Sequence, residues 1–257
     1  MSKTTTNQPP PGDTMSLGDH LEELRIRLIL AIVGLAAALV VCLIFGRWII
    51  SFIEIPYIKA MGEDARLQTI APTEGFVSYM GIAMIAAVIL ASPWIFYQLW
   101  LFISAGLYPE EKRYIYLAIP FSTFLFVTGA LFFIFVISPM TLRFLIIFDR
   151  LVLRSNPNWT FPQYLSFVSM MMLVFGLAFQ TPVAIFFLNK TGLVSIEALR
   201  KSRKYVVLAV VFMAAAATPG SDLFSLFALA IPMYLLFELG ILLSYFSNRR
   251  KMLQNDL

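Results

Sequence analysis

The chain has 257 residues, of which 60% are hydrophobic and only 13% are charged, and its formal net charge is +4. Because soluble domains carry about 25% charged residues, this composition excludes a soluble protein and predicts a polytopic membrane protein without a separate soluble domain. The small positive charge does not indicate nucleic-acid binding, since in a membrane protein it reflects which loops face the cytoplasm. The single cysteine, Cys42, lies in an apolar run; it offers no internal disulfide and does not favour a metal cluster.

The first residues are predicted to lie outside the membrane. Residues 1–16 are polar and proline-rich, which predicts a disordered cytoplasmic tail and no cleavable signal peptide. Residues 18–27, GDHLEELRIR, place leucines on one helical face with charges around them, which is typical of an amphipathic helix at the membrane surface. The membrane domain is predicted over residues 17–247, and residues 248–257 form a second tail.

Six apolar segments of this domain are predicted to cross the membrane as helices. They cover residues 28–45, 76–102, 114–137, 164–188, 205–217 and 223–246. The fifth segment is short, because thirteen residues at about 1.5 Å each span only about 20 Å of a hydrocarbon core that is ~30 Å thick. A chain with four full crossings and a re-entrant hairpin is the alternative.

Two long segments between the crossings are predicted as loops on the outer side. Residues 46–74 contain Pro56 and short amphipathic pieces, and residues 138–162 contain an apolar patch at 142–148 that could form a short helix. Pro93, near the end of the second crossing, is expected to kink that helix.

Lysine and arginine residues predict the orientation of the chain. The segments on the side of the two termini hold 13 of them, whereas the two long loops on the other side hold 6. By the positive-inside rule both termini are expected in the cytoplasm. The loop that follows the second crossing is then cytoplasmic as well.

That cytoplasmic loop carries the first candidate site. Residues 94–113, WIFYQLWLFISAGLYPEEKR, run from an aromatic belt into Glu110 and Glu111. Glu23 of the first helix is expected at the same face, and two acidic positions there would suit a basic ligand. Arginine can form two parallel charge-assisted bonds with a carboxylate, which lysine cannot match. The alternatives are a solvated loop charge for Glu111 and the polar face of an amphipathic helix for Glu23.

Polar residues inside the apolar segments form a second group of candidates. Gln180 in the fourth crossing and Glu238 in the last one need a partner, water or a proton in lipid. A helix–helix hydrogen bond for Gln180 and a shallow, interfacial position for Glu238 are the simpler explanations. Asp222, in the outer turn, is explained by capping of the last helix.

The sequence gives no support for an enzyme. His20 is the only histidine, which excludes a metal site built on several histidines, and no GxSxG, HExxH or GxxxxGK[ST] motif is present. We therefore predict no catalytic residues, no metal and no cofactor.

Four blocks of the chain together resemble one known family. They are HLEELRIRL at residues 20–28, ASPWIFYQLWLFISAGLYPEEKR at 91–113, YLSFVSMMMLVFGLAFQTPVAI at 164–185 and AIPMYLLFELG at 230–240. In order and spacing they are similar to TatC, the multi-spanning receptor of the twin-arginine protein translocase. The resemblance implies an all-α fold of six transmembrane helices in a concave, glove-like arrangement, with both termini inside and the last two helices short.

The resemblance also implies a function and partners. A protein of this family in the bacterial cytoplasmic (inner) membrane would bind the twin-arginine signal peptides of folded export proteins. It would assemble with the single-span subunits TatA and TatB, self-associate in a larger complex within membrane lipid, and use the proton-motive force for transport.

The residues implied for signal-peptide binding are Glu23, Phe102 and Glu111. The matching prolines are Pro56 and Pro93, and the polar position of the fourth helix falls on Gln180, where many bacterial relatives have glutamate. Asp222, in the outer turn, is a further position that the resemblance matches to the family.

A secondary transporter of a small cationic solute is the alternative function. Such a protein would use Gln180 and Glu238 as an intramembrane site, and inverted repeats with broken helices would be expected. Pro93 and Pro182 interrupt two crossings, but no convincing internal repeat is visible.

Overall fold

The structure is a computed structural model that describes most of the chain. The described residues are 17–62, 66–106, 112–152, 154, 159–217 and 223–255. Residues 1–16, Glu110, Glu111 and Asp222 lie outside them, so the roles predicted for these residues stay predictions.

The described residues form helices, apart from one isolated backbone bridge between Gln68 and Thr160. Ten α-helices follow one another in the described residues, and a five-residue π-helical turn, Phe133–Ile137, joins the fourth to the fifth. The helices are α1 (Leu17–Ile44), α2 (Gly46–Met61), α3 (Glu74–Ala105), α4 (Lys112–Phe132), α5 (Ser138–Leu151), α6 (Phe161–Ala178), α7 (Thr181–Lys190), α8 (Ile196–Lys201), α9 (Arg203–Ala217) and α10 (Leu223–Asn255).

Five helical segments of the described residues are long and apolar enough to cross a membrane. They are His20–Ile44, Glu74–Ala105, Ile115–Leu151, Phe161–Lys190 and Leu226–Phe246. The prediction of an all-α, multi-pass membrane protein is therefore confirmed. The sixth predicted crossing corresponds to α9, whose 15 residues extend about 22 Å, and its crossing stays a prediction.

The third apolar segment extends further than the sequence predicted. Instead of a loop after Ile137, the chain passes through the π-helical turn directly into α5 and ends at Leu151. The backbone N–H of Ser138 donates to the carbonyl of Phe133, five residues back, and Pro139 follows in the first turn of α5. Because proline is tolerated in the first turn of a helix, the widened turn lets the helix continue through a residue that we took as a loop signal.

The fourth apolar segment is interrupted where the sequence predicted one crossing. The helix α6 ends at Ala178, Phe179 and Gln180 form a turn, and α7 begins at Thr181. Pro182 has no N–H to donate to the carbonyl four residues earlier, which accounts for the break.

The last helix also differs from its prediction. Helix α10 is 33 residues long, so of the two final helices only α9 is short. Helix α10 continues through Pro232 and α3 continues through Pro93, so the kink expected at Pro93 stays a prediction.

Helices α4 and α6 approach closely through two glycines. A Cβ atom placed on Gly129 of α4 would lie 2.6 Å from the carbonyl oxygen of Phe175, and one placed on Gly176 of α6 would lie 2.8 Å from the ring of Phe126. Small residues at a helix interface let the backbones come together, which is a main source of helix association in lipid. Phe175 and Phe126 are both buried, so the contact lies inside the helix bundle.

We expect Gly129→Ala to lower the free energy of unfolding by about 1–3 kcal/mol, because α4 and α6 must separate to admit the methyl group. Thermal unfolding of the purified protein in detergent measures this. Gly81→Ala is the matched control, since a Cβ on Gly81 of α3 meets nothing within 4 Å, and its midpoint should be unchanged or slightly higher. Equal midpoints for the two variants would contradict the close approach.

Candidate functional site

The start of α1 lies against the end of α3, and the two helices run antiparallel. His20 of α1 contacts Phe102 of α3, with ring centroids 4.6 Å apart and the rings tilted by 30°. Nearly three turns further along α1, the indole N–H of Trp94 donates to the carbonyl of Leu30 at 2.8 Å. The helix pair therefore places Glu23, three residues after His20, close to the end of α3 that carries Phe102.

Glu23 binds an arginine of its own helix. Arg27, one turn along α1, donates to Oε1 of Glu23 from Nε at 2.8 Å and from Nη2 at 2.7 Å. The two side chains are only 26% and 27% exposed. The alternative given for Glu23, a solvated polar helix face, does not describe this carboxylate, because it is largely shielded from water.

Gln98 of α3 completes this site, and sequence reasoning missed it. Its Oε1 accepts a bond from Nη1 of Arg27 at 3.2 Å, and the residue is only 2% exposed. The signal was available, because an amide in an apolar segment needs a partner in the same way as Gln180. We name Glu23, Arg27, Gln98, His20 and Phe102 the mouth cluster.

A second acid–base pair on α1 shows what a solvated pair looks like in this chain. Arg25 and Glu22 are 3.9 Å apart, and their side chains are 72% and 61% exposed. Exposed pairs of this kind contribute little to stability. Of the two acidic side chains compared, Glu23 is therefore the one whose environment strengthens binding of a cation.

Gln180 lies at the break between α6 and α7 and bonds to a neighbouring helix. Its Nε2 donates to the backbone carbonyl of Ser122 in α4 at 2.8 Å. The hydroxyl of Ser122 in turn accepts the indole N–H of Trp100 in α3 at 3.0 Å. The structure thus assigns Gln180 to a helix–helix bond inside this chain.

Glu238 lies in α10 and binds two side chains. It accepts bonds from Nη2 of Arg203 at 2.7 Å and from the hydroxyl of Tyr234 at 2.8 Å. Arg203 is the first residue of α9, so the pair joins the start of α9 to α10. Glu238 and Gln180 share no partner among the described residues, and the structure therefore does not assemble them into one cation site.

Helix α2 follows the first apolar segment, and its Pro56 is fully buried. Burial raises the pKa of Glu54 and of Tyr57 in this helix, because removal from water disfavours their charged forms. The ring of Tyr57 lies 5.3 Å from that of Tyr164, whose hydroxyl donates to the carbonyl of Ile53 at 2.8 Å. These contacts fix α2 on the first turn of α6.

The described residues contain no group of three or more histidine, cysteine, aspartate or glutamate side chains that could hold a metal ion.

Fold and site together define a multi-pass helical membrane protein with a half-buried acidic site at one end of its first helix pair. The family model for the Sec-independent protein translocase protein, TatC, matches residues 19–232. The chain belongs to this family, which confirms the resemblance seen in the sequence. Membership implies that it works as a component of a Tat translocase complex.

Individual relatives agree along most of their length. The TatC proteins of Desulforapulum autotrophicum and Aquifex aeolicus are each 34% identical to the chain. The first match covers 87% of the chain and 82% of the relative, and the second covers 92% and 98%. A crystal structure of the twin-arginine translocase receptor TatC superposes with a TM-score of 0.80 at 33% identity and covers 89% of this chain and 99% of that one.

We expect Gln180→Leu to lower the free energy of unfolding by about 0.6–1 kcal/mol, because the carbonyl of Ser122 loses its inter-helix donor. Thermal unfolding in detergent is again the measurement. Gln163→Leu is the control, since Gln163 lies exposed at the start of α6. A Gln180→Leu variant as stable as the wild-type protein would show that the bond contributes nothing.

Proposed function

We propose that this chain is a receptor that binds the twin-arginine signal peptides of folded export proteins, and that the mouth cluster forms part of the binding site. One observation carries the proposal: Glu23 already binds a guanidinium group in a position that is largely shielded from water. The site is therefore suited in charge and geometry to the group that distinguishes such a signal. The TatC crystal structures to which the fold is similar are described as twin-arginine translocase receptors.

Partial burial makes this carboxylate a stronger partner than an exposed one. With only 26% of the Glu23 side chain exposed, the attraction between the charges is less screened than at Glu22. A guanidinium can bond to both oxygens of a carboxylate at once, and an ammonium group cannot. Selection of arginine over lysine follows from this difference.

Phe102 adds an aromatic surface beside the carboxylate. Its ring packs at a tilt against His20 and lies in the last turn of α3. An arginine can stack on an aromatic face while its edge bonds to an acid. Glu111, which precedes α4 in the sequence, is proposed to bind the second arginine.

The cellular setting is proposed along with the ligand. The excess of lysine and arginine on the side of the termini supports an orientation with both termini in the cytoplasm of a bacterium, with the chain in its inner membrane. The partners would be TatA and TatB, further copies of this chain and the surrounding lipid, with transport driven by the proton-motive force.

Nothing in the structure favours the alternative, a transporter of a small cationic solute. Gln180 and Glu238, which it requires, are each bonded to a neighbouring helix of the chain. We therefore do not propose it.

We expect the purified protein in detergent to bind a synthetic twin-arginine signal peptide and to bind the same peptide with both arginines replaced by lysine much more weakly. Glu23→Gln and Glu111→Ala should each weaken binding about tenfold or more, because each leaves an arginine without its charged partner. Isothermal calorimetry or fluorescence anisotropy gives the dissociation constants.

Glu22→Gln is the control for this experiment, since it removes the same charge from the same helix at an exposed position. Its affinity should stay within about twofold of that of the wild-type protein. Equal binding of the arginine and lysine peptides would contradict the proposed function.

A further inference from the structure

We propose that Arg27 competes with the signal peptide for Glu23. An arginine of the peptide must displace Arg27 before it can bind Glu23, and Arg27 thereby sets the affinity that a ligand needs to enter the site. The inference rests on the proposed function, because it assumes that Glu23 receives an arginine from outside. It adds a residue that sets the affinity threshold of the site by occupying it rather than by touching the ligand.

The geometry shows why the two arginines exclude one another. Both bonds from Arg27 fall on Oε1 of Glu23, at 2.8 and 2.7 Å. Among the described residues no donor reaches Oε2, so an incoming cation can make its first contact there. A two-bond, fork-to-fork contact needs both oxygens, and Arg27 must leave Oε1 before it can form.

Gln98 gives the displaced arginine a second anchor. It accepts a bond from Nη1 of Arg27 at 3.2 Å, and this nitrogen is not one of the two that bind Glu23. Arg27 can therefore release the carboxylate and keep a hydrogen bond to α3. Since Gln98 is neutral and buried, it holds the guanidinium without competing for the ligand.

Such a competitor lowers the apparent affinity of every ligand by the same factor, the inverse of the fraction of molecules in which Glu23 is free. For a pair one helical turn apart we expect this factor to be about two to three. A ligand with a single weak contact, such as a lysine, then fails to occupy the site at concentrations where a ligand with two arginines still binds.

Two variants test the inference in the peptide-binding experiment. Arg27→Gln frees Glu23 and should tighten binding of the twin-arginine peptide about threefold, with the same factor for the lysine peptide. Arg25→Gln, which removes an equal charge two residues away, measures the gain from lost repulsion alone, and the gain from Arg27→Gln must exceed it. Gln98→Glu leaves Arg27 in place but gives it a second carboxylate to bind. Because Arg27 then releases Glu23 more readily, this variant should also tighten binding.

Gln98→Glu is tested in two backgrounds, because this separates the effect of releasing Glu23 from the effect of an added negative charge. In a protein that already carries Arg27→Gln, Gln98→Glu should give no further gain. Weaker binding by Arg27→Gln, or a gain no larger than that of Arg25→Gln, would overturn the inference and assign Arg27 to orienting Glu23. An equal gain from Gln98→Glu in both backgrounds would overturn it too.

The same data distinguish failure of the inference from failure of the proposed function. If the wild-type protein prefers the arginine peptide and Glu23→Gln loses that preference, the function stands whatever Arg27→Gln does. If the wild-type protein shows no preference, both the function and the competitor role are overturned.

Discussion

Polar groups within the apolar helices of this chain must find partners in the protein, because lipid offers none. Three side chains do so by donating to backbone carbonyls of neighbouring helices: Gln180 donates to Ser122, Trp94 to Leu30, and Tyr164 to Ile53. Each bond ties one helix to another at a fixed height. Apolar packing alone specifies such registers weakly, since lipid tails are as apolar as the helix surfaces.

The charged groups of the mouth cluster also find their partners within the protein. Arg27 is too far inside the helix pair to be fully hydrated, and it bonds to Glu23 on its own helix and to Gln98 on the next one. The resulting site holds a carboxylate that is partly shielded from water, one helical turn from the His20 that packs against Phe102. This is the combination that recognition of a guanidinium needs, and it arises because α1 is anchored to α3 along its length.

Much of the fold could be predicted from the sequence because hydropathy dominates in lipid. The long apolar segments, the short α9 and the isolated polar residues all carry a local signal. The continuation of the third segment through Pro139 and the break at Gln180 could not be predicted in the same way. Both depend on whether the backbone around a proline can rearrange, by a π-helical turn in one case and by a two-residue turn in the other.

The sequence pointed to one acid of the candidate site, Glu23, but not to the partners of its side chain. Glu23 was identified by its charge at a membrane mouth, whereas its pairing with Arg27 and Gln98 depends on how α1 is rotated against α3. Sequence spacing allows Arg27 to reach Glu23 but equally allows it to point into solvent, as Arg25 does. The choice is made by the buried amide of Gln98, which only the packed structure reveals.

Ser122 joins three helical segments through its two oxygens. Its hydroxyl holds the indole of Trp100 and its carbonyl holds Gln180, while the ring of Trp100 also packs edge-on against Phe187 at 4.9 Å. Phe102 lies only two residues beyond Trp100, so the last turn of α3 is held in place before any ligand arrives. A signal peptide would meet an aromatic surface that is already ordered, and little conformational entropy would be lost on the receptor side when it binds.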